Sequence, residues 1–218
     1  MKKVAVILSG CGVFDGSEIH ESVLVLLALD RANAQAICTA PDIPQYHVVN
    51  HYTKQPVSGE VRNMLVESAR IARGNIVPLN QLKVSDIDAV ILPGGYGAAK
   101  NLCNFAIAGE NFTTHPEVEK FLKEAHNSGK PIGFVCIAPA IAAKLFGDKK
   151  VEFTIGNDKQ TADVLSKSGA CHVNCTVHNA VVDKKLKIVT TPAYMLATRI
   201  TEAEAGINKL VQAVLELV

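Results

Sequence analysis

The sequence predicts an α/β fold in which a mostly parallel sheet is sandwiched between helices. Three observations predict it. Residues 4–8, 87–92 and 132–135 are short runs dominated by apolar, often β-branched residues, as expected of strands buried on both faces. Stretches with apolar residues at helical spacing lie between such runs, the alternation that produces parallel sheets. The runs also end in glycine or cysteine, at the strand ends where open α/β sheets form their sites.

Residues 4–8 read as a central strand that stops at Ser9-Gly10. Ile19, Val23, Leu24, Leu27 and Ala28 recur at helical spacing, so residues 17–32 read as a helix with Asp15 or Ser17 as its cap. Residues 34–39 form a second strand, and Pro41 and Pro44 mark the loop after it. A short strand at 47–51 and a helix at 61–72 follow. Residues 87–92 form the next buried strand, closed by Pro93-Gly94-Gly95, and 98–106 read as a helix. Pro116 suits the first turn of a helix over 116–127. Residues 132–135 form a buried strand with Cys136 at its end, and 138–146 are helical. Strands at 151–155 and 177–182 surround a helix near 161–168, and a last strand at 187–190 precedes a helix over 197–218. No linker or repeat divides the chain, so residues 1–218 are expected to form one domain.

Composition narrows the function. Hydrophobic residues make up 48% and charged residues 20%, too apolar for a disordered chain. Lys plus Arg is 22 against 21 for Asp plus Glu, a net charge of +1, which gives no nucleic-acid or membrane-surface signature. The apolar run at the start is shorter than a signal peptide's core, and no run reaches the ~18 apolar residues of a membrane span. The six cysteines are spread through apolar stretches, which argues against a disulfide scaffold. The expectation is a cytoplasmic, reducing compartment. Cys171 and Cys175 have no second pair to complete a zinc site, so no metal is expected.

Chemistry is expected at three strand ends. At Gly133-Phe134-Val135-Cys136-Ile137-Ala138-Pro139-Ala140 an apolar strand runs into a cysteine and then a helix, the layout of a nucleophile elbow. A helix N-terminus there would favour the thiolate, and adjacent backbone N–H groups could hold an oxyanion. The structural alternative is an inert core cysteine. Leu92-Pro93-Gly94-Gly95-Tyr96-Gly97 offers exposed N–H groups on a loop that can approach a ligand closely. Gly10-Cys11-Gly12 with Gly16 has one residue too many for a dinucleotide loop, and no acidic residue ends the second strand; no cofactor is expected. Glu21 follows His20 in the first turns of helix one and points toward the same end of the sheet.

Taken together these segments resemble the class I glutamine-amidotransferase-like superfamily, which includes the PfpI/ThiJ proteins, and within it the enhancing-lycopene-biosynthesis (ElbB) branch. The resemblance rests on residues 7–21, 93–102, 133–140 and 188–195, in order along the chain. It implies a flavodoxin-like three-layer sandwich and a homodimer. It implies Cys136 as the reactive thiol, Glu21 as its carboxyl partner, and oxyanion donors in the backbone of Gly95 and Ile137. Cys11, His20 and Gly94 are placed near the same cleft. The activity implied is a glutathione-independent glyoxalase, which takes glyoxal, methylglyoxal or glycated adducts to a hydroxy acid. A redox-sensing or chaperone-like member without catalysis is the alternative. Two departures stand out. Phe134 occupies a position where the wider superfamily has a small residue, and no His-x-Glu follows Cys136; His115-Pro116-Glu117 precedes it, while His172 and His178 lead to Asn174 and Ala180. A glutaminase is therefore disfavoured. If Cys136 is a low-pKa thiolate, like-charge repulsion requires Glu21 to be protonated.

Overall fold

The computed structural model describes residues 1–218. Its strands are β1 (Lys3–Ile7), β2 (Gln35–Ala40), β3 (Val49–Asn50), β4 (Gln55–Pro56), β5 (Ile76–Pro78), β6 (Ala89–Leu92), β7 (Ile132–Val135), β8 (Glu152–Phe153), β9 (Cys171–His172), β10 (Val181–Asp183) and β11 (Ile188–Thr191). Its α-helices are α1 (Ile19–Arg31), α2 (Met64–Ile71), α3 (Phe105–Ala108), α4 (Pro116–Asn127), α5 (Pro139–Phe146), α6 (Lys159–Ser166) and α7 (Ile200–Glu216).

Seven strands form the central sheet in the order β10-β11-β7-β6-β1-β2-β5. Every pairing in it is parallel except β10 with β11. From β1 the chain builds outward through β2 and β5, then returns to β6 on the other side of β1. The order reverses between β1 and β6, so a crevice opens beyond their carboxyl ends. Side chains alternate across the sheet. Val4 and Val6 share a core with Leu24, Val25 and Leu29 of α1 and Ile207, Leu210 and Val214 of α7. Ala5 and Ile7 share the opposite core with Val118 and Leu122 of α4 and Ile141 and Leu145 of α5. This is the three-layer, flavodoxin-like sandwich expected.

The unusual Phe134 is accommodated by the same alternation. Its ring is fully buried in the α4/α5 core. The small residue of the strand is its neighbour Gly133, where a Cβ would come within 2.9 Å of Leu210 and 3.0 Å of Val214. That glycine lets α7 lie close against β7.

Several elements differ from expectation. Helix α1 starts at Ile19, capped by Glu18 rather than Asp15 or Ser17. Those two are engaged elsewhere: Asp15 accepts from the Val49 N–H at 2.7 Å and Ser17 Oγ from the Ser9 N–H at 2.8 Å. Helix α2 begins three residues later than expected, behind Asn63, whose side chain caps it. The helix expected over 98–106 is broken into a π-helical turn, Ala98–Leu102, an extended Cys103 and the short α3. The strand expected at 47–51 shrinks to β3, which pairs with β4 outside the main sheet. The expected 151–155 strand shrinks to β8, paired with β9, and only β10 survives of 177–182. Strand β5 carried no clear signal because it is three residues long, contains Pro78 and lies at the sheet edge.

Candidate active site

The turn after β7 is a nucleophile elbow. Cys136 has φ +64, in the left-handed region. A non-glycine residue there costs on the order of 1–3 kcal/mol and persists only where its surroundings enforce it. The Cys136 N–H donates to Thr191 at the end of β11 at 2.9 Å, and the Ala138 N–H closes the turn onto Val135 at 3.0 Å. Helix α5 begins at Pro139. The sulfur therefore stands at the carboxyl end of the sheet, beside the β1/β6 crevice.

Glu21 meets it from α1. Its side chain is fully buried. Its carboxyl accepts from the Gly94 N–H at 2.9 Å through Oε2 and from the Tyr194 N–H at 3.2 Å through Oε1, and it lies beside the Cys136 thiol. Only glycine fits at 94: a Cβ would lie 2.4 Å from Cys136 Cβ and 2.6 Å from Glu21 Oε2. Gly95, at φ +92, turns its N–H toward the sulfur, and the Ile137 N–H reaches it as well. The structure brings together Cys136, Glu21, Gly94, Gly95 and Ile137.

The electrostatics correct one expectation. Burial, reinforced by the Glu18 charge, pushes the Glu21 carboxyl up to about 8, although the Tyr194 and Gly94 N–H groups favour its ionised form. Burial, reinforced by Glu21, pushes the Cys136 thiol well above its usual value, against the pull of the Gly95 and Ile137 N–H groups. A low-pKa resting thiolate was expected from the helix N-terminus; desolvation outweighs that field. At neutral pH both members carry protons, and they titrate as a pair.

A cavity of about 350 Å³ lies over the sulfur. Val13, Ala99, Phe105, Ile137 and Met195 give it apolar walls, and Glu18, Thr161 and Tyr194 supply polar groups. Glu18 and Tyr194 were not singled out from the sequence. Glu18 caps α1 by accepting the Glu21 N–H at 2.7 Å. Tyr194 follows Ala193, whose φ of +41 helps aim the next N–H at Glu21. A signal was present for both, since each lies within a segment that carries the family resemblance.

Two residues expected at the cleft are placed differently. Cys11 does not line it. Its loop is turned by Gly10 and Gly12, both at positive φ, and pinned to α2 by the Gly10 N–H on Ser68 at 2.9 Å. Cys11 consequently sits near Glu67 and Arg70, with its thiol raised by burial and then by Glu67. His20 is exposed and reaches the cavity only through Tyr194, whose hydroxyl is 2.9 Å from Nδ1. No histidine lines the cavity. His172 packs on Phe153, and His115 immediately precedes α4. A cleft of about 420 Å³ among Lys123, His126, Lys144 and Lys149 contains no cysteine. All six cysteines are free.

An elbow cysteine at the switch point of a flavodoxin-like sheet, beside a buried carboxyl and with no histidine at the cavity, places the chain in the amidotransferase-like class. No family profile matches the chain. A human protein named glutamine amidotransferase-like class 1 domain-containing protein 3, mitochondrial, is 48% identical over 99% of this chain and 83% of its own length. The zebrafish mitochondrial ES1 protein is 34% identical over 89% of this chain and 77% of its own. An Ehrlichia chaffeensis isoprenoid biosynthesis protein with an amidotransferase-like domain superposes with a TM-score of 0.91, at 42% identity, covering 99% of this chain and all of that one. The chain belongs to this ES1 family of amidotransferase-like class 1 proteins, in agreement with the branch expected from its motifs. The expected cytoplasmic placement is corrected: the human, rat and zebrafish relatives are all named as mitochondrial.

Proposed function

We propose that the protein is a cofactor-free enzyme that converts an α-oxoaldehyde to a 2-hydroxy acid through Cys136. The observation that carries this reading is the joint aim of the Glu21 carboxyl and the Gly95 and Ile137 N–H groups at one buried sulfur. In the form of the pair that has lost one proton, the thiol adds to the aldehyde carbon: an S–C bond forms, the S–H proton passes to the Glu21 carboxylate, and the carbonyl oxygen takes that proton back to give a hemithioacetal. The two N–H groups stabilise the developing oxyanion. Glu21 then moves the C1 proton to C2 while the C1 hydroxyl proton passes to the C2 oxygen, so C1 is oxidised to a thioester as C2 is reduced to an alcohol. Water cleaves the thioester, releasing the hydroxy acid and the thiol. No external oxidant or reductant enters.

A redox sensor needs an accessible thiolate at rest, and a buried thiol held protonated does not favour that alternative. A glutaminase reading is weakened by the absence of any histidine at the cavity. The names of the relatives support a mitochondrial setting, and a homodimer, twice the 23.3 kDa chain mass, remains the proposed assembly. The test is turnover of glyoxal and methylglyoxal by the wild type, Cys136→Ala and Glu21→Gln. Loss of activity in Cys136→Ala and a fall of ~10²–10⁴ in Glu21→Gln are expected; undiminished turnover by Cys136→Ala rejects the scheme.

A further inference from the structure

We infer that the cavity over Cys136 selects electrically neutral carbonyl compounds that carry an apolar substituent, and that Glu18 turns anionic ones away. The inference rests on the proposed aldehyde chemistry for the reacting group, but the selectivity itself needs no turnover.

Size is the first argument. At roughly 30 Å³ of liquid volume per water, 350 Å³ accommodates about a dozen heavy atoms. Glyoxal, with two carbons and two oxygens, would leave most of that space to water. The walls that water would face are Val13, Ala99, Phe105, Ile137 and Met195. A substituent that contacts those side chains displaces poorly bonded water and contributes hydrophobic affinity.

Charge is the second. Glu18 is the one charged residue lining the cavity, and no Lys, Arg or His does so. It is buried, and its carboxylate is fixed by the Glu21 N–H as the cap of α1. Its field reaches both Glu21, beside the Cys136 thiol, and Tyr194, in the cavity wall. A carboxylate-bearing compound such as glyoxylate would have to shed its hydration beside this fixed anion without a counter-charge.

The test reads Cys136 directly. Alkylation of the full-length protein by iodoacetamide, iodoacetate and iodoacetanilide is followed at Cys136 by peptide mass spectrometry. Each rate is divided by that of the same reagent with N-acetylcysteine amide. Iodoacetanilide is expected to exceed iodoacetamide by about tenfold, within the range of an apolar group filling a pocket. Iodoacetate is expected to fall at least tenfold below iodoacetamide. Glu18→Gln retains an oxygen for the cap and should remove most of the iodoacetate deficit; Phe105→Ala should reduce the anilide advantage. A change in thiol pKa scales all three reagents alike, so the ratios isolate the cavity. Wild-type ratios within twofold of one another overturn the inference, and a deficit that persists in Glu18→Gln overturns the role of Glu18. Preserved ratios without turnover of glyoxal, methylglyoxal or phenylglyoxal would sink the aldehyde reading alone. Glyoxal turnover with collapsed ratios would sink the selectivity alone.

Discussion

Glu21→Gln should make the protein more stable at alkaline pH while removing its activity. The buried carboxyl titrates at about 8 in the folded protein against an ordinary value of 4.5. Between those values the unfolded chain has released a proton that the folded chain still holds. The folded state binds more protons, so wild-type stability falls as pH rises, by ~1.4 kcal/mol per pH unit. Over the whole window the loss is on the order of 5 kcal/mol, of which roughly 3 kcal/mol has accrued by pH 7. Glutamine does not titrate and escapes this loss. It does incur a constant one: Gly94 and Tyr194 both present N–H groups, so the new amide must turn its own NH₂ toward a donor or the sulfur. An unmet buried donor costs roughly 1–3 kcal/mol. The variant should therefore be less stable than wild type near pH 5, comparable near pH 7 and more stable above pH 8. Urea unfolding at pH 5, 7 and 8.5 measures this, and subtracting the two proteins cancels the titrating groups that do not interact with Glu21. A difference that is flat with pH, or that favours wild type increasingly as pH rises, refutes the assignment of a raised, buried carboxyl.

Three further outcomes follow from the same geometry. The rate of aldehyde turnover should rise with pH through about 8, where the pair loses its first proton and Glu21 becomes a base; a pH–rate profile that is flat from 6 to 9 contradicts this. Gly95→Ala places a Cβ 2.4 Å from the Glu18 nitrogen and 2.5 Å from the Gly16 oxygen, at φ +92. It should lower stability by about 1–3 kcal/mol and kcat by ~10²–10³ as the oxyanion donor shifts, both read from unfolding and steady-state kinetics. Tyr194→Phe retains the backbone N–H on Glu21 and loses only the hydroxyl bond to His20. Thermal or urea unfolding should show a loss of no more than ~0.5–1.5 kcal/mol, and turnover should suffer far less than in Glu21→Gln.

The sheet was legible where strands are buried on both faces. β1, β6 and β7 announce themselves because nothing polar interrupts them. Edge strand β5, with its proline, carries no such pattern. Helix starts were misplaced where candidate caps serve tertiary partners, as Asp15 and Ser17 do. The elbow was visible as strand, cysteine, helix, but the residues alone left an inert cysteine open, and the pairing with Glu21 came from the family resemblance. The Tyr194 contact spans 173 positions and has no local signature. The thiolate expectation failed for a related reason: a helix N-terminus is a local feature, whereas the desolvation that opposes it depends on how α1, β6 and β11 close around the sulfur.

That opposition bears on what the site is for. A core built for stability would have a hydrophobe at 21 and a residue free of left-handed strain at 136. Here a carboxyl is buried without a cationic partner, Cys136 and Ala193 both sit at positive φ, and two glycines make room for the contact. Each feature is unfavourable by itself, and all of them converge on one sulfur. Such concentrations of strain and perturbed titration mark sites where chemistry overrides packing. The thiolate has to be generated as an electrophile arrives, with the charge moving to an oxygen that the Gly95 and Ile137 N–H groups can receive. Under the proposed aldehyde chemistry a carbonyl supplies that oxygen, and the buried Glu21 carboxyl relays the proton between sulfur and substrate.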